Sequence, residues 1–140
     1  MDETTTDLEK RFTIPDIDAV ATAIAIWRES KRFETHWHNV PEKLMLVVTE
    51  LSEAMEAYRH LSHASLIACA IAALPGAHKV TAQDLPVDQY NFFANFREEL
   101  ADTFIRLLDL TGSLGINIGT EIAQKMLVNV KRPQKHGKEC

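Results

Sequence analysis

Apolar residues recur every three or four positions along most of this chain, which is the spacing of one face of an α-helix. No segment alternates apolar and polar residues as a half-buried strand does, and no glycine-rich phosphate loop or internal repeat competes with this pattern. The sequence therefore predicts an all-α protein. We expect one helical bundle domain over 1–140, with four main helices and a short extra helix.

Start and stop signals give approximate boundaries for these helices. Asn39 and Pro41 form a typical cap and first-turn pair at the start of the second main helix. The predicted main helices cover roughly 15–34, 41–60 and 119–130, together with a long helix that begins near 88 and stops near Gly112 or Gly115, and the Ala-rich segment 65–74 is the short extra helix. We expect residues 1–12 to form a flexible arm and residues 132–140 a mobile basic tail.

The most apolar stripe of each main helix is predicted to face the core. The residues of these stripes are Ile17, Val20, Ile24 and Trp27 in the first helix, Leu44, Val47, Val48, Leu51, Met55 and Tyr58 in the second, Phe96, Leu100, Phe104, Leu107 and Leu108 in the third, and Ile122, Met126 and Val130 in the last.

Composition excludes several classes of protein. Fifteen basic and twenty acidic residues give a net charge of -5, which argues against general nucleic-acid binding. The segment 65–74 is about half the length that a bilayer crossing needs, so no membrane span is expected. Cys69 and Cys140 lie far apart and the N-terminal segment is acidic and polar, which predicts a cytoplasmic protein without a disulfide framework.

Two predicted helices each carry a pair of carboxylates three residues apart, Glu50 with Glu53 and Glu99 with Asp102. At about 100° per residue, each pair lies at the same angular offset from the apolar stripe of its helix. If the two helices pack antiparallel, the four carboxylates converge beside the core and repel one another unless a cation lies among them. Such all-oxygen ligands suit Mg²⁺, or Mn²⁺ as a substitute, rather than zinc.

Simpler explanations exist for the same carboxylates. Charged residues beside an apolar stripe usually form a solvated face, and Arg106 stands four residues after Asp102, where an ordinary salt bridge can form. A di-iron bundle requires Glu-x-x-His on two helices, and neither pair here has that histidine. The equal offset of the two pairs favours the metal site.

Glu98 projects about 100° away from Glu99 and is expected to be a surface residue.

The last predicted helix carries Lys125, Asn129 and Arg132 along one polar stripe. Cationic and amide donors in that arrangement can hold phosphate oxygens. A basic surface near a helix C-terminus is the alternative, because the helix dipole favours positive charge there.

These motifs resemble the MazG-like nucleoside triphosphate pyrophosphohydrolases, an all-α family with an ExxE motif followed by an ExxD motif. Glu50-Leu-Ser-Glu53 matches the first, Glu99-Leu-Ala-Asp102 the second, and the C-terminal KMLVNVKRPQKHGK resembles the end of related members. The chain departs from the pattern at Thr49, where the family often has a further Glu, and the segment 54–98 is longer than usual.

The resemblance implies hydrolysis of a (deoxy)nucleoside triphosphate to the monophosphate and pyrophosphate, with Mg²⁺ held by all four motif carboxylates. It also implies substrate contacts by Lys125, Asn129 and Arg132, and a homodimer or a dimer of dimers. A non-enzymatic nucleotide-binding or regulatory helical bundle is the alternative function. The sequence assigns neither the preferred base and sugar nor the carboxylate that acts as general base.

Overall fold

The computed structural model describes residues 15–32 and 34–132, apart from the side chains of residues 15 and 16. These residues form five α-helices and a short 3₁₀ turn, with no strand in the described ranges, so the all-α prediction is confirmed. The helices are α1 (Pro15–Ser30), α2 (Val40–Arg59), α3 (His63–Ala72), α4 (Val87–Ser113) and α5 (Ile118–Val130), and the 3₁₀ turn is Trp37–Asn39. The predicted arm over 1–12 and the predicted tail beyond Arg132 lie outside the described residues.

The chain divides into two compact units. The first contains α1, the 3₁₀ turn, the last residues of α4 from Leu108 onward, and α5. The second contains α2 after its first residue, α3, and α4 up to Leu107. No helix in the described part of the chain combines the length and the apolar character that a bilayer crossing needs.

Side-chain and backbone contacts between helices organise the first unit. Asp18 on α1 accepts a hydrogen bond from the backbone N–H of Gly119 at 3.4 Å, and a Cβ at that glycine would lie 2.7 Å from the Asp18 carboxylate. Further along α1, Arg28 forms an ion pair with Asp109 in which Nε and Oδ1 are 2.6 Å apart. A Cβ at Gly119 would therefore require the Asp18 side chain to shift from its position against α5.

Helix α4 ends where the sequence placed its stop signal. Gly115 has a φ of 68°, a conformation that glycine adopts without strain. The N–H of Ile116 donates to the carbonyl of Thr111, and the N–H of Gly115 donates to that of Gly112, which together form a Schellman cap. Asn117 then caps α5 by accepting from the N–H of Thr120 at 3.0 Å.

Helices α2 and α4 pack antiparallel in the second unit. Tyr58 lies against Phe96 with ring centroids 6.1 Å apart, while Glu50, earlier on α2, contacts Arg106, later on α4. Beyond the end of α2, the N–H of Ser62 donates to the side chain of Gln89 at 2.7 Å. The antiparallel packing on which convergence of the carboxylates depended is confirmed.

The prediction of which face of α2 is buried is wrong. The buried residues of this helix are Val47, Glu50, Ala54 and Ala57, of which only Val47 belongs to the predicted stripe. The other members of that stripe, which we call the exposed α2 stripe, are each about half exposed: Leu44, Val48, Leu51, Met55 and Tyr58. Small side chains such as those at 54 and 57 permit close packing of helices, and the face of α2 that carries them is the buried one.

Other predicted core residues are also exposed. Phe104 on α4 is 62% exposed, and Val20, Trp27, Met126 and Val130 are each exposed by more than a third. No large side chain among the described residues is fully buried. Much of the most apolar surface of residues 15–32 and 34–132 is therefore exposed.

Candidate metal centre

Glu50, Glu53 and Glu99 converge in the second unit. One carboxylate oxygen of each lies within 4.8 Å of the corresponding oxygens of the other two. Glu50 and Glu53 are three residues apart on α2, so they point from neighbouring turns toward the same side. Glu99 reaches them from α4, which runs in the opposite direction, and we call these three residues the glutamate cluster.

The three glutamates differ in burial. Glu50 is 6% exposed, Glu99 is half-buried, and Glu53 is exposed. Thr103, one turn after Glu99, is buried, and its hydroxyl donates to the Glu99 carbonyl at 2.9 Å, so it does not compete for the carboxylates. The cluster therefore has a buried end at Glu50 and a solvent-accessible end at Glu53, through which a ligand can enter.

The neighbouring carboxylates affect the pKa of Glu99. Partial burial, a hydrogen bond with the Glu50 side chain, and the charges of Glu53, Glu50 and Asp102 raise the pKa of Glu99 above its ordinary value. Each of these effects disfavours the ionised carboxylate in the absence of a compensating cation. Asp102 lies outside the set of three that shares the 4.8 Å separation, but its charge acts on Glu99.

Arg106 is the residue at this site that sequence reasoning missed. Its Nε and Nη2 both contact the same oxygen, Oε1 of Glu50. The sequence suggested that Arg106 pairs with Asp102 on its own helix, whereas the guanidinium reaches across to α2. The available signal was its position seven residues, or two turns, after Glu99, which places both on one face of α4.

The predicted phosphate-binding residues Lys125, Asn129 and Arg132 belong to the first unit, whereas the glutamate cluster belongs to the second. All three are exposed. Helix α5 ends at Val130, so Arg132 lies beyond the helix, with its N–H donating to the carbonyl of Asn129 at 3.1 Å. Their role as substrate ligands stays a prediction. Glu98 is exposed, as expected for a surface residue.

The donor set of the glutamate cluster fits a hard divalent cation. Three carboxylates supply only oxygen ligands, and no His or Cys belongs to the set. Mg²⁺ in proteins is commonly held by a few carboxylates and keeps several waters, which leaves positions for phosphate oxygens. The glutamate cluster can therefore hold a hard divalent cation such as Mg²⁺ or Mn²⁺.

No protein-family model, curated protein or solved structure matches the chain significantly. The resemblance to MazG-like enzymes thus rests on the quoted motifs.

Proposed function

We propose that this chain hydrolyses a (deoxy)nucleoside triphosphate to the monophosphate and pyrophosphate in a Mg²⁺-dependent reaction in the cytoplasm, as MazG-like enzymes do. The observation that carries the proposal is the convergence of Glu50, Glu53 and Glu99 from two antiparallel helices, at the positions of the ExxE and ExxD motifs.

The glutamates supply the charge that such chemistry requires. A Mg²⁺ ion held by Glu50, Glu53 and Glu99 would offset the negative charge that develops during phosphoryl transfer. Glu50, held on a buried helix face, would provide a fixed ligand, and Glu53 is exposed and so accessible to a ligand from solvent. Asp102, next to Glu99, adds negative charge that draws a cation toward the cluster.

The test is a product analysis with matched variants. Purified protein with Mg²⁺ is incubated with canonical and modified nucleoside triphosphates, and monophosphate, pyrophosphate and orthophosphate are quantified. Glu53→Gln should lose nearly all hydrolysis, whereas Glu56→Gln, three residues further along α2 and exposed, should retain it. Release of orthophosphate without pyrophosphate, or equal activity of the two variants, would refute the proposal.

We also infer that the chain forms a homodimer or a dimer of dimers. The supporting observation is the exposed α2 stripe, whose members are spaced alternately by four and three residues, as in helices that pack against a partner helix. Leu51, Met55 and Tyr58 also line an apolar groove of about 290 Å³ with Phe96 and Leu100 of α4. Surface of this kind is rarely left in water by a small monomer.

Light scattering tests this inference. The parent should give a mass at least twice the 15.8 kDa of one chain at micromolar concentration. Leu51→Glu should lower the mass, whereas Ser52→Glu, exposed and beside the exposed α2 stripe, should not. A parent of one-chain mass would contradict the inference. The regulatory-bundle alternative would gain support from an oligomer that hydrolyses no nucleotide.

A further inference from the structure

Arg106 and a bound cation require the same carboxylate. The guanidinium of Arg106 places two donors on Oε1 of Glu50, and Glu50 is also a member of the glutamate cluster. Glu50 is 6% exposed, so its charge needs a partner close by. The guanidinium of Arg106 is such a partner.

A divalent cation that enters the glutamate cluster weakens the ion pair between Arg106 and Glu50. The cation neutralises Glu50 itself, and it brings two positive charges close to the guanidinium, which repel it. The two partners differ in freedom to move, because the Glu50 side chain is 8% exposed whereas that of Arg106 is 40% exposed. The arginine is therefore the group that can leave.

We propose that Arg106 is an exchangeable counter-ion: it neutralises Glu50 in the ion-free protein, competes with the divalent cation for that carboxylate, and donates to phosphate oxygens once the cation displaces it. The last step rests on the proposed function, since it requires a nucleotide substrate. A planar guanidinium with several donors suits both a carboxylate and a phosphate.

This exchange couples the ion to the nucleotide. The free ion binds weakly because it must displace Arg106, whereas a nucleotide phosphate accepts the displaced guanidinium and removes that penalty. Binding free energies coupled in this way are reciprocal, and such coupling commonly changes affinity by about 5- to 150-fold. Removing the arginine should therefore strengthen binding of the ion alone and weaken use of the nucleotide.

The experiment compares Arg106→Gln with Arg97→Gln, a matched change at an exposed position of the same helix. Calorimetric titration with MgCl₂ alone, without nucleotide, gives the dissociation constant for the ion, and thermal melting in EDTA reports the ion-free fold. We expect Arg106→Gln to bind Mg²⁺ at least about fivefold more tightly than the parent. It should also melt at a lower temperature in EDTA and show a raised KM for the triphosphate. Arg97→Gln, which loses only the contact of its guanidinium with the Phe93 ring, should match the parent in Mg²⁺ binding and in KM.

A purely structural role for Arg106 predicts the same loss of melting temperature but unchanged or weaker Mg²⁺ binding, and that result would overturn the proposal. If Arg106→Gln does not fold in EDTA, the same Mg²⁺ titration is made with Arg106→Lys. An ammonium cannot reproduce the two-donor contact, so tighter Mg²⁺ binding than the parent supports the exchange, and equal or weaker binding refutes it. Tighter Mg²⁺ binding without any triphosphate hydrolysis would support the counter-ion role and refute the proposed enzyme. Absence of Mg²⁺ binding in both the parent and Arg106→Gln would refute both.

Discussion

Replacing Glu99 with Gln tests the metal centre through stability as well as activity. In the ion-free protein Glu99 faces Glu50, Glu53 and Asp102, and its raised pKa shows that its ionised form is disfavoured there. Glutamine keeps the shape of the side chain and removes its charge. We therefore expect Glu99→Gln to melt at the same temperature as the parent or higher in EDTA at neutral pH, although it loses hydrolysis.

In MgCl₂ the parent should instead melt at a higher temperature than Glu99→Gln. An ion that binds only the folded state at a hundred times its dissociation constant stabilises it by about 2.7 kcal/mol. For a chain of this size that corresponds to roughly 8 °C in melting temperature. If the lost carboxylate weakens ion binding about a hundredfold, the same Mg²⁺ concentration contributes only about 0.4 kcal/mol, or roughly 1 °C.

Melting curves followed by circular dichroism, in EDTA and in MgCl₂, measure both effects. Glu98→Gln is the matched control, because it removes one charge from the neighbouring and exposed position of α4. Its Mg²⁺ response should equal that of the parent. The same Mg²⁺ response in both variants would refute the metal centre, and a clear loss of melting temperature for Glu99→Gln in EDTA would refute the argument from charge repulsion.

Three further outcomes are expected. Because the pKa of Glu99 is raised in the folded protein, the folded state binds this proton more tightly than the unfolded chain does. The stability of the parent in EDTA should therefore fall as the pH rises from about 4.3, the ordinary pKa of Glu, through the raised pKa. An identical pH profile of melting temperature in Glu99→Gln would contradict this. Gly119→Ala should cost about 1–3 kcal/mol in urea denaturation because its Cβ meets the Asp18 carboxylate, whereas Gly112→Ala, with only ordinary contacts at 3.6 Å or more, should not destabilise. Arg132→Ala should lower kcat/KM for the triphosphate without lowering the melting temperature, and unchanged kinetics would remove that residue from the substrate site.

The helices and the convergence of the glutamates were predictable because both depend on local spacing. Pairs three residues apart lie on one helix face, and antiparallel packing is common between helices of a bundle. The buried face of α2 was not predictable in this way. Apolar periodicity identified the face with Leu51 and Met55, whereas the helix buries the face with the small residues Ala54 and Ala57.

The partner of Arg106 was missed for a related reason. Asp102, four residues earlier, is an obvious partner in sequence, and spacing along one helix contains no information about a carboxylate on another helix. The burial of Glu50 makes the contact across the helix pair the stronger one, because a buried carboxylate requires a charged partner more than an exposed one does. Burial of this kind depends on tertiary packing, which the sequence pattern did not give.

The alanine at position 54 has a consequence for ion selectivity. Ala54 is 2% exposed, lies one turn after Glu50, and lines the same groove as Phe96 and Leu100 of α4. The distance between two packed helices depends on the side chains at their contact, so this methyl group helps to set the separation of Glu50 and Glu99. Mg²⁺ requires ligands at about 2.0–2.1 Å, and Ca²⁺ accepts about 2.3–2.6 Å. Ala54→Val, by widening the helix pair, should therefore shift the preference of the site from Mg²⁺ toward Ca²⁺.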